Sequence, residues 1–160
     1  MANISIEYMI LVPLLILQIF LLPYTAGLIM GKWSTSSQNL ALQDASSRIG
    51  SSIQQLYFFL NHTTIPSGTV TNRLNIPNFI NNYAYSGTGN LTSVVSGTSS
   101  GQVLKLTLKF MGNSLSSTST VNLGQNARWN SSSYFMSNST TSNIQAYKDS
   151  GNVIWLSFGA

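Results

Sequence analysis

Cysteine is absent from this chain of 160 residues, and charged residues are scarce. Without cysteine, neither a disulfide framework nor a thiolate metal site can form. Charged side chains make up 6% of the residues, roughly a quarter of the ordinary share. The seven basic residues are spread along the chain without forming a run. Nucleic-acid binding needs a concentrated basic face, so we expect no nucleic-acid partner.

The chain is also poor in the side chains that perform acid–base chemistry. His62 is the only histidine, and only three residues are acidic. A general base needs an orienting partner, which these few groups do not supply. Asp149 stands in "KDSGN", a typical hairpin loop, and Asp44 precedes Arg48 by four residues, which favours an ion pair on a helix. We therefore expect no enzymatic activity, no cofactor and no metal site.

An apolar segment covers residues 9–30. As a helix these 22 residues would span about 33 Å, the thickness of a bilayer core, and they exceed the apolar region of a signal peptide. Pro13 and Pro23 lie inside the segment, where membrane helices tolerate proline better than soluble ones do. The acid Glu7 lies just ahead of it, and the first basic residue is Lys32.

A second helical pattern follows the apolar segment. From Leu40 onward, apolar residues recur at gaps of three and four, which is one face of an α-helix. Asn61 and the following proline and glycine end the pattern. We predict one helix over residues 1–60, apolar all round in 1–32 and amphipathic in 33–60, where it packs on the following domain. The predicted inward face runs from Leu42 to Leu60 and comprises Leu42, Ala45, Ile49, Ile53, Leu56 and Leu60.

Residues 61–160 have the composition of a β domain. The clearest strand is "QVLKLTLKF", in which apolar and polar residues alternate. Weaker strand signals are "FINNYAY", "LTSVV", "STVNLG", "NIQAY" and "VIWLSF", and the turn signals are "SGTGN", "SGTSSG" and "KDSGN". The fold class is therefore α+β, with a C-terminal antiparallel β-sandwich or barrel-like head of about six to seven strands. We interpret Trp129 and Trp155 as core or subunit-contact residues.

The predicted surface is rich in Ser, Thr and Asn, which make up 53 of the 128 residues from Trp33 onward. Asn-x-Ser/Thr sequons begin at Asn3, Asn61, Asn90, Asn130 and Asn138. N-glycans are bulky and solubilising, and they imply export, although a chain of this composition also makes sequons by chance. We predict that the last four sequons are glycosylation sites and lie in surface loops of the head.

The start "NISIEYMIL" resembles the Q-x-S-x-E-Y start of archaeal type IV pilins with a class III signal peptide. Ser5, Glu7 and Tyr8 match this pattern, and Asn3 replaces the glutamine. The layout is also similar, from the apolar helix with an early Glu to the final strand "GNVIWLSF".

The resemblance implies a major pilin, the structural subunit of an archaeal type IV-like adhesive pilus on the cell surface. Its helices would bundle with the β heads outside. The implied partners are further copies of the chain, a prepilin peptidase, an assembly ATPase with its membrane platform, and the membrane before assembly. A minor pilin or pseudopilin, and a membrane-anchored surface glycoprotein that never polymerises, are the alternatives.

The resemblance also implies roles for residues at the start of the chain. Cleavage after Ala2 would make Asn3 the mature terminus. Met1 and Ala2 alone are a much shorter leader than the family's, so an upstream start, a chain already trimmed and a terminus at Met1 all stay open. Glu7 would pair with the terminal amine of a neighbouring subunit, because a carboxylate in apolar surroundings needs a partner. The alternative is a plain first-turn acid stabilised by the helix dipole.

Overall fold

The computed structural model describes residues 3–96 and 99–159, and it describes side chains for residues 8–94 and 101–159. The fold is α+β: one long N-terminal helix, α1 (Asn3–Leu60), precedes a β head. Within the described residues the head has eight strands rather than the six to seven predicted. They are β1 (Gly68–Arg73), β2 (Tyr85–Ser96), β3 (Ser99–Phe110), β4 (Ser116–Leu123), β5 (Ala127–Trp129), β6 (Tyr134–Met136), β7 (Asn143–Lys148) and β8 (Ile154–Gly159).

Helix α1 runs without interruption through Pro13 and Pro23 and ends at Leu60, as predicted. The backbone N–H of Asn61 still donates to Tyr57 O at 2.8 Å, the last bond of helical spacing. The next N–H, that of His62, reaches a carbonyl only three residues back, at 3.4 Å. This tightening, followed by a proline that cannot continue the helix, ends α1.

The chain forms two compact units, the first ending at Ser37 and the second beginning at Gln38. The second unit contains the C-terminal part of α1 and the β head, and both contribute to one hydrophobic core. The inward face runs from Leu42 to Leu60, as predicted, and Leu40 is exposed. Burying each large apolar side chain of this face contributes about 1.5–3 kcal/mol. The buried apolar side chains of the helix are Leu42, Ala45, Ile49, Ile53, Leu56, Tyr57 and Leu60.

Two contacts show how closely the C-terminal part of α1 approaches β4. The hydroxyl of Ser119 donates to Ser46 O at 3.1 Å. A Cβ added to Gly50 would lie 2.9 Å from Val121 Cγ2, closer than side chains normally pack. Glycine at position 50 weakens the helix signal in the sequence, but its missing side chain is what lets the helix lie against the strand.

The strands form two four-stranded sheets, one in the order β1-β7-β8-β5 and the other in the order β4-β3-β2-β6. The β5–β8 pair is parallel, and the other described strand pairs are antiparallel. The aromatic rings of Phe135 and Phe158 meet between the sheets with their centroids 4.8 Å apart, and Trp129 lies 5.0 Å from Phe158. The sheets therefore face each other across an aromatic core.

The segment "SGTGN" is not a turn but part of β2. Gly87 and Gly89 are buried on its inward face. A Cβ on Gly87 would collide with the ring of Phe135, and a Cβ on Gly89 would lie 2.5 Å from the indole of Trp129. These glycines make room for aromatic rings. Glycine in a sequence can therefore mark close packing within a strand as well as a turn, and the sequence pattern alone does not separate the two.

The segment "FINNYAY" is not a strand along its length. Ile80 and Tyr83 exchange two backbone hydrogen bonds of 3.0 Å. Between them Asn81 and Asn82 have positive φ angles of 48° and 67°, the backbone of a tight type I′ turn. Asparagine tolerates this conformation, so the adjacent pair forms a turn where the flanking apolar residues suggested a strand.

Other predictions about the strands are confirmed. "QVLKLTLKF" lies within β3, and "KDSGN" connects β7 to β8 in a turn that Asp149 N closes by donating to Val153 O at 2.9 Å. The predicted turn "SGTSSG" includes residues 97–98, which lie outside the described residues, and its last three residues belong to β3.

Candidate assembly surface

The apolar side chains that the structure describes in the first unit, from Tyr8 onward, are exposed on every side of α1. Within the described residues, α1 is the one helix that is long and apolar enough to cross a membrane, and its most apolar stretch has no buried residue. The exposed large apolar residues are Tyr8, Met9, Ile10, Leu11, Val12, Leu14, Leu15, Ile16, Leu17, Ile19, Phe20, Leu21, Leu22, Tyr24, Leu28, Ile29, Met30 and Trp33. This surface is compatible with insertion into lipid.

One face of the apolar segment carries a groove. Its residues recur at gaps of three and four, the spacing of neighbours on a helix surface. The hydroxyl of Thr25, next to the lining residue Tyr24, is satisfied within the helix, because Thr25 Oγ1 donates to Leu21 O at 2.9 Å and lies 3.0 Å from Leu22 O. The side chains that line the groove are therefore apolar except for the hydroxyl of Tyr24. Its lining residues are Pro13, Ile16, Leu17, Phe20, Leu21 and Tyr24.

The structure gives a position to only part of the predicted processing and assembly site. Ala2 lies outside the described residues, and Asn3 is the first described residue of α1. Glu7 lies in the helix beyond its first turn, which contains no acidic residue. The interpretation of Glu7 as a first-turn acid is therefore wrong. The side chain of Glu7 is not among the side chains that the structure describes.

All four predicted glycosylation sites of the head are exposed. Asn61 follows the end of α1, Asn130 follows β5, and Asn138 lies in the turn after β6. The expected loop position is wrong for Asn90, which lies within β2 opposite Lys105 of β3. An exposed strand residue still presents its side chain to solvent, because alternate residues of β2 face outward.

Asn61 is held by a polar network at the end of α1. Asn126 Nδ2 donates to Asn61 Oδ1 at 2.9 Å and to Asn152 O at 2.8 Å. Tyr57 in turn donates its hydroxyl to Asn126 Oδ1 at 2.6 Å. Burial raises the pKa of Tyr57, and a hydrogen bond with the backbone of Gly124 partly offsets this rise. The network joins the helix end to the loops before β5 and β8.

The few groups capable of acid–base chemistry do not converge in the described structure. His62 Nδ1 lies 2.7 Å from Thr64 Oγ1 on an exposed turn. The predicted ion pair is confirmed, with Arg48 Nε 2.8 Å from Asp44 Oδ2, and both side chains are exposed. Within the described residues no three histidine, aspartate or glutamate side chains are placed to hold a metal ion.

Sequence reasoning did not single out Lys148, which is only 3% exposed. Its Nζ donates to His62 O at 3.1 Å, just beyond the end of α1. No basic residue lies in the last turn of α1, so this lysine from β7 supplies the cation that the negative end of a helix favours. A signal was present in "NIQAYK", where the alternation with Ile144 and Ala146 assigns Lys148 to the inward face.

The two tryptophans of the head have different environments. Trp129 is buried, as expected for a core residue, whereas Trp155 is 48% exposed on the outer face of β8 beside Tyr147.

Comparison of the chain with protein families, with curated proteins and with solved structures gives no match. Exposed large apolar side chains lie on the helix of the first unit and, at Tyr147 and Trp155, on the outer face of one sheet of the head.

Proposed function

We propose that this chain is the major structural subunit of an archaeal type IV-like adhesive pilus, which polymerises through bundled N-terminal helices with the β heads outside. The exposed apolar segment of α1 is the observation that carries the proposal. Burying one large apolar side chain is worth about 1.5–3 kcal/mol, so the row from Tyr8 to Trp33 represents tens of kcal/mol in water. To be shielded from water, the segment must be surrounded by lipid, by the helices of other copies of the chain, or first by lipid and then by those helices.

Assembly into a filament explains more features of the apolar segment than a simple membrane anchor does. An anchor needs length and apolarity alone. The depression lined by Pro13, Leu17 and Tyr24 would also receive the ridge of side chains from a neighbouring helix. Helices that leave lipid for a filament core exchange one apolar environment for another, so shape complementarity rather than hydrophobicity directs their association.

The start of the chain supports the same proposal. Ser5, Glu7 and Tyr8 match the family pattern, and Glu7 follows the first helical turn, where the dipole effect has largely faded. A carboxylate in an apolar bundle then requires a cation from elsewhere. The free amine of a neighbouring subunit, exposed when the peptidase cuts after Ala2, is the partner we propose.

The proposed function also implies that the chain is exported. The precursor crosses the cytoplasmic membrane, a prepilin peptidase trims it, and an assembly ATPase with its membrane platform adds it to a filament outside the cell. The role is structural, with no enzymatic activity and no cofactor. Glycans at Asn61, Asn90, Asn130 and Asn138 would supply the solubility that the charge-poor surface lacks.

Immunogold electron microscopy of intact cells tests the proposal against its alternatives. Antibodies against the head should label surface filaments along their whole length if the chain is a major pilin. Label confined to filament tips would indicate a minor pilin, and even label over the cell body would indicate an anchored glycoprotein. Cells lacking the gene serve as the control and should lose both label and filaments.

A further inference from the structure

The outer face of the sheet β1-β7-β8-β5 carries a shallow groove with a volume of about 180 Å³. Tyr147 of β7 and Trp155 of β8 are register partners on this face, and they are 45% and 48% exposed. Thr69 of β1 lies beside Tyr147 on one side, and Arg128 of β5 lies beside Trp155 on the other. Tyr147 and Trp155 thus form a partly exposed aromatic pair on the two central strands of this sheet.

A second row of side chains borders the aromatic pair and is polar. Gln145 and Ser157 are register partners, and Asn130 follows β5 next to them. All three line the groove together with the two aromatic rings. Sugars match this combination, because a sugar ring has an apolar C–H face that stacks on an aromatic ring and hydroxyls that pair with amides.

Asn130 is fixed at the groove by its backbone and by its side-chain oxygen. Its N–H donates to Leu156 O at 3.0 Å. Its Oδ1 accepts from Ser132 N at 3.2 Å and from Ser132 Oγ at 2.7 Å. A backbone N–H can only donate, so the side-chain atom it approaches must be the oxygen. The amide nitrogen, the atom to which an N-glycan is attached, makes no hydrogen bond within the described residues.

We propose that Asn130 carries an N-linked glycan whose first sugars lie in this groove and stack on Tyr147 and Trp155. Attachment needs a lipid-phosphate-linked oligosaccharide and its membrane transferase. A bond forms between Asn130 Nδ2 and C1 of the sugar, while the bond from C1 to the phosphate oxygen breaks. The lipid phosphate leaves with the electron pair, and Nδ2 loses a proton. The inference rests on the proposed function only for export to the glycosylating side of the membrane.

The arrangement distinguishes Asn130 from the other three sites. Asn138 lies in an exposed turn, and Asn90 lies at mid-strand in the other sheet. Asn61 follows the end of α1 and does not line this groove. Among these four asparagines, Asn130 alone lines the groove with the aromatic pair. A glycan there covers exposed aromatic surface that would otherwise favour nonspecific association.

Fluorescence quenching of the full chain tests the proposal. The chain is produced in an N-glycosylating archaeal host with Trp33→Phe and purified in detergent. Because Trp129 is buried, Trp155 is then the accessible emitter, and the additional variant Trp155→Phe verifies this. Ser132→Ala destroys the sequon at Asn130 but keeps the asparagine, whereas Ser132→Thr preserves the sequon. Thr140→Ala removes the sequon at Asn138 as a matched control.

We expect the acrylamide quenching constant to rise about two-fold in Ser132→Ala, because the glycan hides about one of the two ring faces. Ser132→Thr and Thr140→Ala should match the parent. Intact-glycopeptide mass spectrometry that finds Asn130 unmodified would overturn the proposal, and so would unchanged quenching in Ser132→Ala. Electron microscopy of the same cells separates the two proposals: filaments with a bare Asn130 contradict the glycan site alone, and a shielded Trp155 without filaments contradicts the pilus alone.

Discussion

The ammonium group of Lys148, on β7, donates a hydrogen bond of 3.1 Å to the backbone oxygen of His62, just beyond the end of α1. The lysine is almost completely buried, so its long side chain packs within the protein as well as donating. This contact ties the end of the helix to the sheet β1-β7-β8-β5.

Lys148→Ala should lower the free energy of unfolding by about 2–4 kcal/mol, because it leaves a cavity and an unpaired carbonyl. Lys148→Met fills the space without burying a charge and should cost less, about 1 kcal/mol. Urea unfolding of the detergent-solubilised full chain, followed by near-UV circular dichroism, measures both. Lys105→Ala, at an exposed position of β3, is the control. Equal stability of Lys148→Ala and Lys105→Ala would rule out the structural role of the contact.

Gly89→Ala should destabilise the head by about 1–3 kcal/mol, because the added methyl group meets the indole of Trp129 and the core must shift. The matched control is Gly101→Ala in β3, where the nearest atom, Leu123 O, would lie 3.7 Å from the new carbon. Gly101→Ala should alter the free energy of unfolding by no more than about 0.5 kcal/mol. The same urea titration measures the difference, and two variants of equal stability would contradict the close packing of β2 under the aromatic core.

The stability of the head should fall as the pH rises above about 10, the ordinary pKa of tyrosine. Burial raises the pKa of Tyr85 well above that value, and its hydroxyl donates to Pro77 O at 2.7 Å. The folded state therefore keeps this proton after the unfolded state has lost it, so folding becomes less favourable with increasing pH.

Tyr85→Phe should flatten this decline, while it lowers stability at neutral pH by about 1 kcal/mol through the lost hydrogen bond. Unfolding titrations between pH 8 and about pH 11 compare this variant with Tyr134→Phe, whose ring is about half exposed. Identical pH dependence in the two variants would mean that Tyr85 does not control the alkaline decline.

Much of the architecture was predictable because strong periodic signals coincide with long elements. The end of α1 at Leu60, the apolar segment and β3 were recognisable from spacing alone. Three strands, β1, β5 and β6, were not predicted. β1 is mostly polar, and β5 and β6 have three residues each, too few to display a period. Gly87 and Gly89 resembled a turn because their aromatic partners are distant in the sequence.

The surfaces of the head were less predictable than its core. Asparagine sequons mark Asn130 as a candidate, but only the pairing of β7 with β8 brings Tyr147 beside Trp155. The tryptophan was expected to be a core or subunit-contact residue, since its sequence neighbours alternate as they do in any buried strand. Sites that depend on register between strands require the fold before they can be recognised.

Glu7→Gln should reduce filament formation without preventing membrane insertion. Insertion depends on the apolar run, and loss of a charge favours it. Assembly should fall because the amine of an incoming subunit would have no carboxylate partner in an apolar bundle. Filament yield per cell, with precursor and membrane-inserted chain quantified by immunoblotting, measures the effect. Asp44→Asn, which removes an exposed acid outside the apolar segment, should leave the yield unchanged. Normal filaments from Glu7→Gln would show that the helices assemble by packing alone.

Electron cryomicroscopy of filaments sheared from cells tests whether this chain builds a pilus through its N-terminal helices. If it does, a helical reconstruction fits many copies of this chain, with the groove along Pro13, Leu17 and Tyr24 filled by a neighbouring helix and the heads outside. Mass spectrometry of the same filaments should identify this chain as their main protein. A reconstruction in which residues 8–33 contact no other copy, or filaments built from a different protein while this chain stays in the membrane, would contradict the proposed function.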